Sequence, residues 1–208
     1  MKLFDSDGPI MEVLGKLSDL IFINCTFVLL SLPVFTIGAS MAAMYECCFS
    51  LIEDTEDPFL PRQFWKAFVR NFKRGTGSWG ISLLFILFLG AYALVSGMFT
   101  GTLGQMYRIT FFVLLFLFLM GFQYVFPLLA HSDSKVLQVW KDSWKMAVTA
   151  LPWTALNLVI ILGSTAVCTL LLPANMAVYL WAFLFFALIA FLSSFIIRHV
   201  FKKFGVYQ

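Results

Sequence analysis

Long runs without a charged side chain dominate the hydrophobic pattern of this chain. Asp, Glu, Lys and Arg are absent from residues 20–45, 75–107, 109–132 and 146–197. A transmembrane helix needs about 20 consecutive apolar residues, whereas apolar runs of about 10 to 14 are typical of buried helices in soluble proteins. The last run is too long for one helix, and turn-forming residues at 173–175 divide it. The pattern therefore predicts an all-α, polytopic membrane helix bundle.

We predict about five transmembrane helices in a single integral membrane domain covering the whole chain. Their expected bounds are about 20–45, 78–98, 110–130, 151–171 and 177–197. Composition agrees, because 61% of the residues are hydrophobic and 12% are charged, against roughly 25% charged residues in a soluble domain. A signal peptide is disfavoured for the first run, because acidic residues outnumber basic ones before it.

Pro33 predicts a break in the first hydrophobic run. Proline removes a helical hydrogen bond and clashes with the preceding turn, so neighbouring groups must satisfy the freed carbonyls. Small or polar residues around this position are the candidates for a helix break or a polar pocket: Asn24, Ser31, Pro33, Thr36, Gly38 and Ser40. We expect the segment from Thr36 to Ser40 to pack inside the bundle. Two alternatives remain open, since the run either crosses the membrane once or forms a hairpin.

The one long polar segment, residues 46–74, begins acidic and ends as a basic amphipathic stretch. Five cations recur in it every three or four residues: Arg62, Lys66, Arg70, Lys73 and Arg74. The opposing stripe is mainly aromatic: Phe64, Trp65, Phe68, Val69 and Phe72. This pattern predicts an interfacial helix that lies flat on a bilayer with anionic headgroups. A second, less basic interfacial helix is expected within residues 131–145.

The distribution of lysine and arginine predicts the orientation. With five spans, eleven of the fourteen cations lie on one side, and Lys2, Lys16 and Arg108 lie on the other. Because cytoplasmic loops carry the excess of cations, both interfacial helices and the C-terminus are expected in the cytoplasm, with Gly101 and Asn175 outside. The N-terminus is outside if the first run crosses once and inside if the run is a hairpin.

Residue types that carry chemistry are scarce in the predicted spans. The apolar runs contain no Asp, Glu, Lys or Arg, and neither histidine has a carboxylate or cysteine at metal-ligand spacing. Motifs for phosphate, dinucleotide or zinc binding are missing, as is a nucleophile elbow. We therefore expect no catalytic residue, cofactor or metal site, and no enzymatic activity. The net charge of +3 is small and indicates membrane topology, not nucleic-acid binding.

Several segments resemble one membrane protein family. They are Phe4 to Met11, Leu17 to Leu20 with Asn24, Ser31 to Ser40, and Phe64 to Lys73. This pattern is similar to that of the YesL-like integral membrane proteins of Gram-positive bacteria, and SLPVFTIGAS is its most specific part. The resemblance implies an uncharacterised multi-pass protein of the bacterial cytoplasmic membrane, often encoded beside carbohydrate transporters. It implies no catalytic residue, ligand or cofactor.

Three hypotheses about function follow. The first is an accessory or regulatory protein of carbohydrate uptake, whose partner is a sugar permease or a sensor protein. The second is a small solute transporter or channel, which must work without ion coupling because no intramembrane carboxylate is expected. The third, a membrane enzyme, is the weakest, because no nucleophile and base can be paired.

Overall fold

The computed structural model describes residues 9–53, 55 and 60–206, and every regular element within these ranges is helical. The first eight residues and most of the acidic part of the predicted loop, 54 and 56–59, lie outside the described residues. Eight α-helices follow one another along the chain: α1 Pro9–Leu30, α2 Ile37–Glu53, α3 Leu60–Gly97, α4 Gly101–His131, α5 Val136–Thr149, α6 Leu151–Leu171, α7 Ala174–Leu180 and α8 Phe186–Lys203. A 3₁₀ turn, Val34–Thr36, precedes α2, and a π-helical segment, Trp181–Phe185, joins α7 to α8.

Six helical segments among the described residues are long and apolar enough to cross a membrane. They are Val13–Leu30, Val34–Glu53, Leu60–Gly97, Gly101–His131, Leu151–Leu171 and Ala174–Lys203. The all-helical class and the presence of several apolar helices are therefore confirmed. The number differs from the predicted five because the first hydrophobic run forms two helices.

The division of the first run lies at Pro33, so the predicted single segment 20–45 is not one helix. After α1 ends, the hydroxyl of Thr36 donates hydrogen bonds to the carbonyl oxygens of Leu30 at 2.5 Å and Pro33 at 2.6 Å. The chain then reverses, since Asn24 of α1 and Cys48 of α2 both contact the backbone of Ala187. Of the two alternatives for the first hydrophobic run, a single crossing or a hairpin, α1 and α2 form the hairpin.

The basic stretch 61–74 is not a separate interfacial helix, in contrast to the prediction. It is the first part of α3, which continues for 38 residues, or about 57 Å at 1.5 Å per residue. The helix continues through Gly75, and the backbone of α2 packs directly against this glycine. Phe64 and Phe68, predicted to face the membrane interface, are instead buried in the bundle.

The core of the bundle forms around α2, whose small side chains are covered by its neighbours. Ala39, Ala42, Ala43, Cys47 and Cys48 are all fully buried. Helix α2 runs along the basic first half of α3, as the contacts of Gly38 with Gly75, Glu46 with Arg70 and Ser50 with Gln63 show. Small residues allow this close approach of two helix backbones.

The second half of α3 pairs with α4 as a long hairpin. Aromatic contacts mark the pairing, with ring centroids 4.6 Å apart between Phe85 and Phe118 and 5.7 Å apart between Tyr92 and Tyr107. Apolar side chains on both helices, such as Leu87 and Phe112, remain largely exposed. Exposed apolar surface of this extent fits contact with lipid.

Helix α5 falls close to the second predicted interfacial helix, but it begins and ends four or five residues later. It packs across α4, where the indole of Trp144 covers Gly121 and the ring of Trp140 stacks near Phe118. Lys141 and Leu137 point away from the bundle and are exposed. This helix therefore has one packed face and one face with both charged and apolar side chains.

Candidate functional site

The residues that follow the predicted break at Pro33 lie in a close-packed contact between two helices. Pro33 itself is exposed, whereas Gly38 and Ser40 are buried. A Cβ atom added at Gly38 would lie 2.7 Å from the Cβ atom of Trp79 and would also meet the carbonyl oxygen of Gly75. Both contacts, with the Cβ atom of Trp79 and with the carbonyl oxygen of Gly75, are too close for non-bonded atoms. The absence of a side chain at position 38 is therefore what allows α2 to touch α3.

The three hydroxyl groups near the break, those of Ser31, Thr36 and Ser40, differ in their hydrogen bonding. The hydroxyl of Thr36 donates to the carbonyl oxygens of Leu30 and Pro33, as described above. The hydroxyl oxygens of Ser31 and Ser40 are buried and have no hydrogen-bond partner among the described residues. The three hydroxyls therefore do not form one polar pocket at Pro33.

Asn24, the remaining candidate of this group, binds the π-helical segment. Its amide nitrogen donates to the carbonyl oxygens of Trp181 at 3.1 Å and Ala182 at 2.8 Å. Its carbonyl oxygen accepts a hydrogen bond from the backbone nitrogen of Ala187 at 2.9 Å. A π-helical turn shifts the backbone pairing from i+4 to i+5, so nearby backbone groups lose their regular partners. Asn24 supplies those partners from another helix.

A cavity of about 240 Å³ lies beside this π-helical segment. Side chains from α2, α4, α6, α8 and the π-helical segment enclose it, and none of these lining residues carries a charge. Gln123 lies on its wall and accepts a hydrogen bond from the amide nitrogen of Asn157 at 2.8 Å. Trp181 and Phe185, stacked at 4.7 Å between ring centroids, form another part of the wall. The cavity is thus almost entirely apolar.

Two of the five predicted lipid-binding cations bind other groups of the protein, although the side chain of Arg70 stays 49% exposed. A guanidinium nitrogen of Arg70 lies 2.6 Å from a carboxylate oxygen of Glu46 and donates to the carbonyl oxygen of Ala130 at 3.1 Å. Arg74 donates to the carbonyl oxygen of Ser132 and lies 3.1 Å from the carboxylate of Asp133. The last carbonyls of a helix lack intrahelical donors, so both arginines stabilise the C-terminal end of α4.

The other three cations, Arg62, Lys66 and Lys73, are exposed on the outer face of α3. Large apolar side chains share that face with them, since Trp65 is 57% and Val69 is 55% exposed. An exposed surface with both cations and aromatic side chains is suited to the headgroup region of an anionic bilayer. We call the surface formed by these five residues the basic face of α3.

Sequence reasoning missed the partners that define both regions. Glu46 was assigned to the start of a polar loop, although it lies in α2 and pairs with Arg70. Tyr45 and Trp181, which line the cavity, carry no local pattern that distinguishes them from other apolar positions. Their roles depend on which helices meet, and spacing along one helix does not reveal that.

Comparison with known proteins gives one match. No curated protein and no solved structure matches the chain. Residues 20–94 match a family model described as "Protein of unknown function, DUF624". The matched range runs from within α1, through the break and α2, to near the end of α3. This part of the chain, which contains the basic face and the contact between Gly38 and Gly75, is therefore similar to a family of unknown function.

Proposed function

We propose that this protein is a non-enzymatic accessory or regulatory component of a bacterial cytoplasmic membrane. The observation that carries the proposal is the basic face of α3, which the rest of the bundle leaves uncovered. Buried surface on α3 already holds the bundle together through Phe64, Phe68 and Gly75. The opposite face is therefore available for anionic headgroups and for a partner protein.

The orientation in this proposal follows from the charge distribution and the hairpin. The turn between α1 and α2 puts the start of α1 at the same end of the bundle as the connection between α2 and α3. Of the lysines and arginines that the structure describes, Arg108 is then the one cation at the other end of the bundle. Because cytoplasmic segments carry the excess of cations, both termini and the basic face lie in the cytoplasm.

Carbohydrate uptake is the proposed context, and its support is the resemblance to YesL-like proteins in the segments given above. The partner is then a sugar permease or a sensor protein of the same membrane. An ionised residue at mid-membrane is a frequent sign of ion-coupled transport. The charge-free lining of the cavity therefore favours an accessory role over ion-coupled transport.

Co-purification tests this proposal. The tagged protein is extracted from its native membrane in mild detergent, and the retained proteins are identified by mass spectrometry. A permease or sensor subunit is expected with the parent protein and is expected to be lost with Lys66→Glu combined with Lys73→Glu. Arg108→Glu, a charge reversal at the opposite end, is the matched control and should retain the partner. Recovery of the parent protein alone, from cells that make the permease and the sensor, contradicts the proposal.

A small solute transporter without ion coupling is the second candidate, because an apolar cavity lies between four helices. It predicts uptake of an uncharged solute into vesicles that contain the purified protein alone. An accessory protein gives no uptake above that of protein-free vesicles.

A further inference from the structure

A tyrosine on the wall of the cavity beside the π-helical segment has a hydroxyl without a partner. Tyr45 lines the cavity and is 6% exposed, yet its hydroxyl makes no hydrogen bond to any described residue. Two other polar side chains on the wall are engaged, since Thr165 bonds the carbonyl oxygen of Ile161 and Gln123 accepts from Asn157. A hydroxyl held in apolar surroundings without a partner costs free energy, and a ligand with an accepting oxygen removes that cost.

The wall of this cavity depends on an irregular and specifically supported backbone. Trp181 and Phe185 enter the cavity from the π-helical segment. Asn24 on α1 donates two hydrogen bonds to that segment and accepts one from Ala187 at the start of α8. Single π-helical turns within α-helices occur frequently at functional sites. The support from Asn24 is independent of the unpaired hydroxyl of Tyr45, and both observations indicate a binding site at this cavity.

From these observations we infer that the cavity binds a neutral, mainly apolar molecule that has one hydrogen-bond-accepting oxygen. The charge-free walls exclude an ionised ligand, because transferring an unpaired charge into an apolar cavity is very unfavourable. A dry cavity of about 150 Å³ holds benzene, so about 240 Å³ suits a molecule of roughly ten non-hydrogen atoms. Aliphatic alcohols of medium length have this size and chemistry.

Entry occurs from the lipid phase. Leu162 lines the cavity and is 53% exposed on the outer surface of α6. The wall of the cavity therefore extends to the outer surface of the bundle, where apolar side chains are exposed. A molecule dissolved in the membrane can reach Tyr45 without crossing the charged end of the bundle.

Photolabelling tests the inference on the full chain in lipid vesicles. The probe is an eight-carbon alcohol with a diazirine group, and mass spectrometry locates the labelled residues. Labelling is expected at Trp181, Phe185 or Met44, all of which line the cavity. Excess 1-octanol should compete with the probe, whereas octane at the same membrane concentration should compete less well because it lacks the oxygen.

Two variants separate the cavity from the general lipid surface. Tyr45→Phe removes only the hydroxyl and should weaken competition by 1-octanol about five-fold, the factor for a hydrogen bond worth about 1 kcal/mol. Ala190→Leu fills the cavity from a buried position and should abolish the specific label, whereas Ala155→Leu at an exposed position of α6 should not. Thermal stability of each variant confirms that it is folded.

Two results overturn the inference. Labelling confined to lipid-exposed residues, with the same intensity in Ala190→Leu, shows that the cavity takes no ligand. Equal competition by 1-octanol in the parent protein and in Tyr45→Phe shows that no oxygen is recognised there.

Discussion

Replacing Gly38 with alanine tests the contact between α2 and α3 with the smallest possible change. The added methyl group would meet the carbonyl oxygen of Gly75 and would lie 2.7 Å from the Cβ atom of Trp79. Both obstacles are backbone or backbone-proximal atoms, so a side-chain rotation cannot relieve the clash. The two helices must separate instead.

The expected cost follows from the size of this clash. An extra methylene group in a well-packed core typically costs about 1 to 3 kcal/mol. Because two contacts at Gly38 are shorter than any normal contact, the cost lies in the upper part of that range, about 2 to 3 kcal/mol. Alanine regains about 1 kcal/mol over glycine within a helix, so the net loss of stability is about 1 to 2 kcal/mol. For a chain of this length, each kcal/mol lowers the melting temperature by about 2 to 4 °C.

A matched control lies in α3. Gly90 is helical, and a Cβ atom added there has no neighbour within 4 Å. Gly90→Ala should therefore keep or raise the melting temperature. The double variant Gly38→Ala with Gly75→Ala should lose less stability than the sum of the single variants, because both methyl groups separate the same pair of helices.

The buried cysteines provide the assay. Cys47, Cys48 and Cys168 are buried, so a maleimide dye reports unfolding of the detergent-solubilised protein when it gains access to these thiols. A melting temperature that falls for Gly38→Ala and not for Gly90→Ala agrees with the contact. Equal melting temperatures for the parent protein and Gly38→Ala would refute the reasoning.

Two further variants follow from the hydrogen bonds at the site and use the same thiol assay. Asn24→Ala leaves backbone groups of the π-helical segment without partners, and each such group costs about 1 to 3 kcal/mol when buried. This variant should therefore melt well below Thr26→Ala, because the hydroxyl of Thr26 bonds only its own helix. Equal melting temperatures of the two variants would be the contrary result. Arg74→Gln removes the ion pair with Asp133 and the donor to Ser132 and should lower the melting temperature more than Lys73→Gln, which alters an exposed side chain. A larger loss for Lys73→Gln would show that Arg74 does not stabilise the end of α4.

The apolar helices could be predicted because hydropathy is a local property. A stretch such as 151–171 is long enough, and free enough of charge, to specify a helix without knowledge of its neighbours, and α6 has those bounds. The break at Pro33 could also be located, because proline disrupts a helix wherever it occurs in the interior. Whether the chain reverses after the break depends on packing with α8, which the local sequence does not encode.

The errors around α3 have the same physical origin. The basic stretch was expected to be a separate helix that ends near Arg74, but α3 continues through Gly75, where the close approach of Ala39 makes that glycine part of a packed interface. The spacing of Arg70 and Arg74 matched an exposed amphipathic face, yet the end of α4 supplies carbonyl oxygens that both arginines bind. A helical pattern shows which residues share a face and does not show what the face contacts.

The cavity could not be predicted at all. It requires a π-helical segment in the last long apolar run and an asparagine about 160 positions earlier that supports it. Asn24 was recognised as an unusual polar residue, but its partners are backbone atoms, which are the same at every position of the sequence. No pattern within one segment identifies such a contact.

The membrane orientation tests the central claim most directly, and single-cysteine labelling in intact cells measures it. Because the other cysteines are buried, Cys25→Ala provides a background with little thiol reactivity. Lys66→Cys and Thr102→Cys place exposed thiols at opposite ends of α3 and α4; Thr102 is used because the positive φ of Gly101, 69°, disfavours a side chain there. A membrane-impermeant maleimide added outside should label Thr102→Cys and should reach Lys66→Cys only after permeabilisation. Labelling of Lys66→Cys from outside, or of both from the same side, would contradict the account.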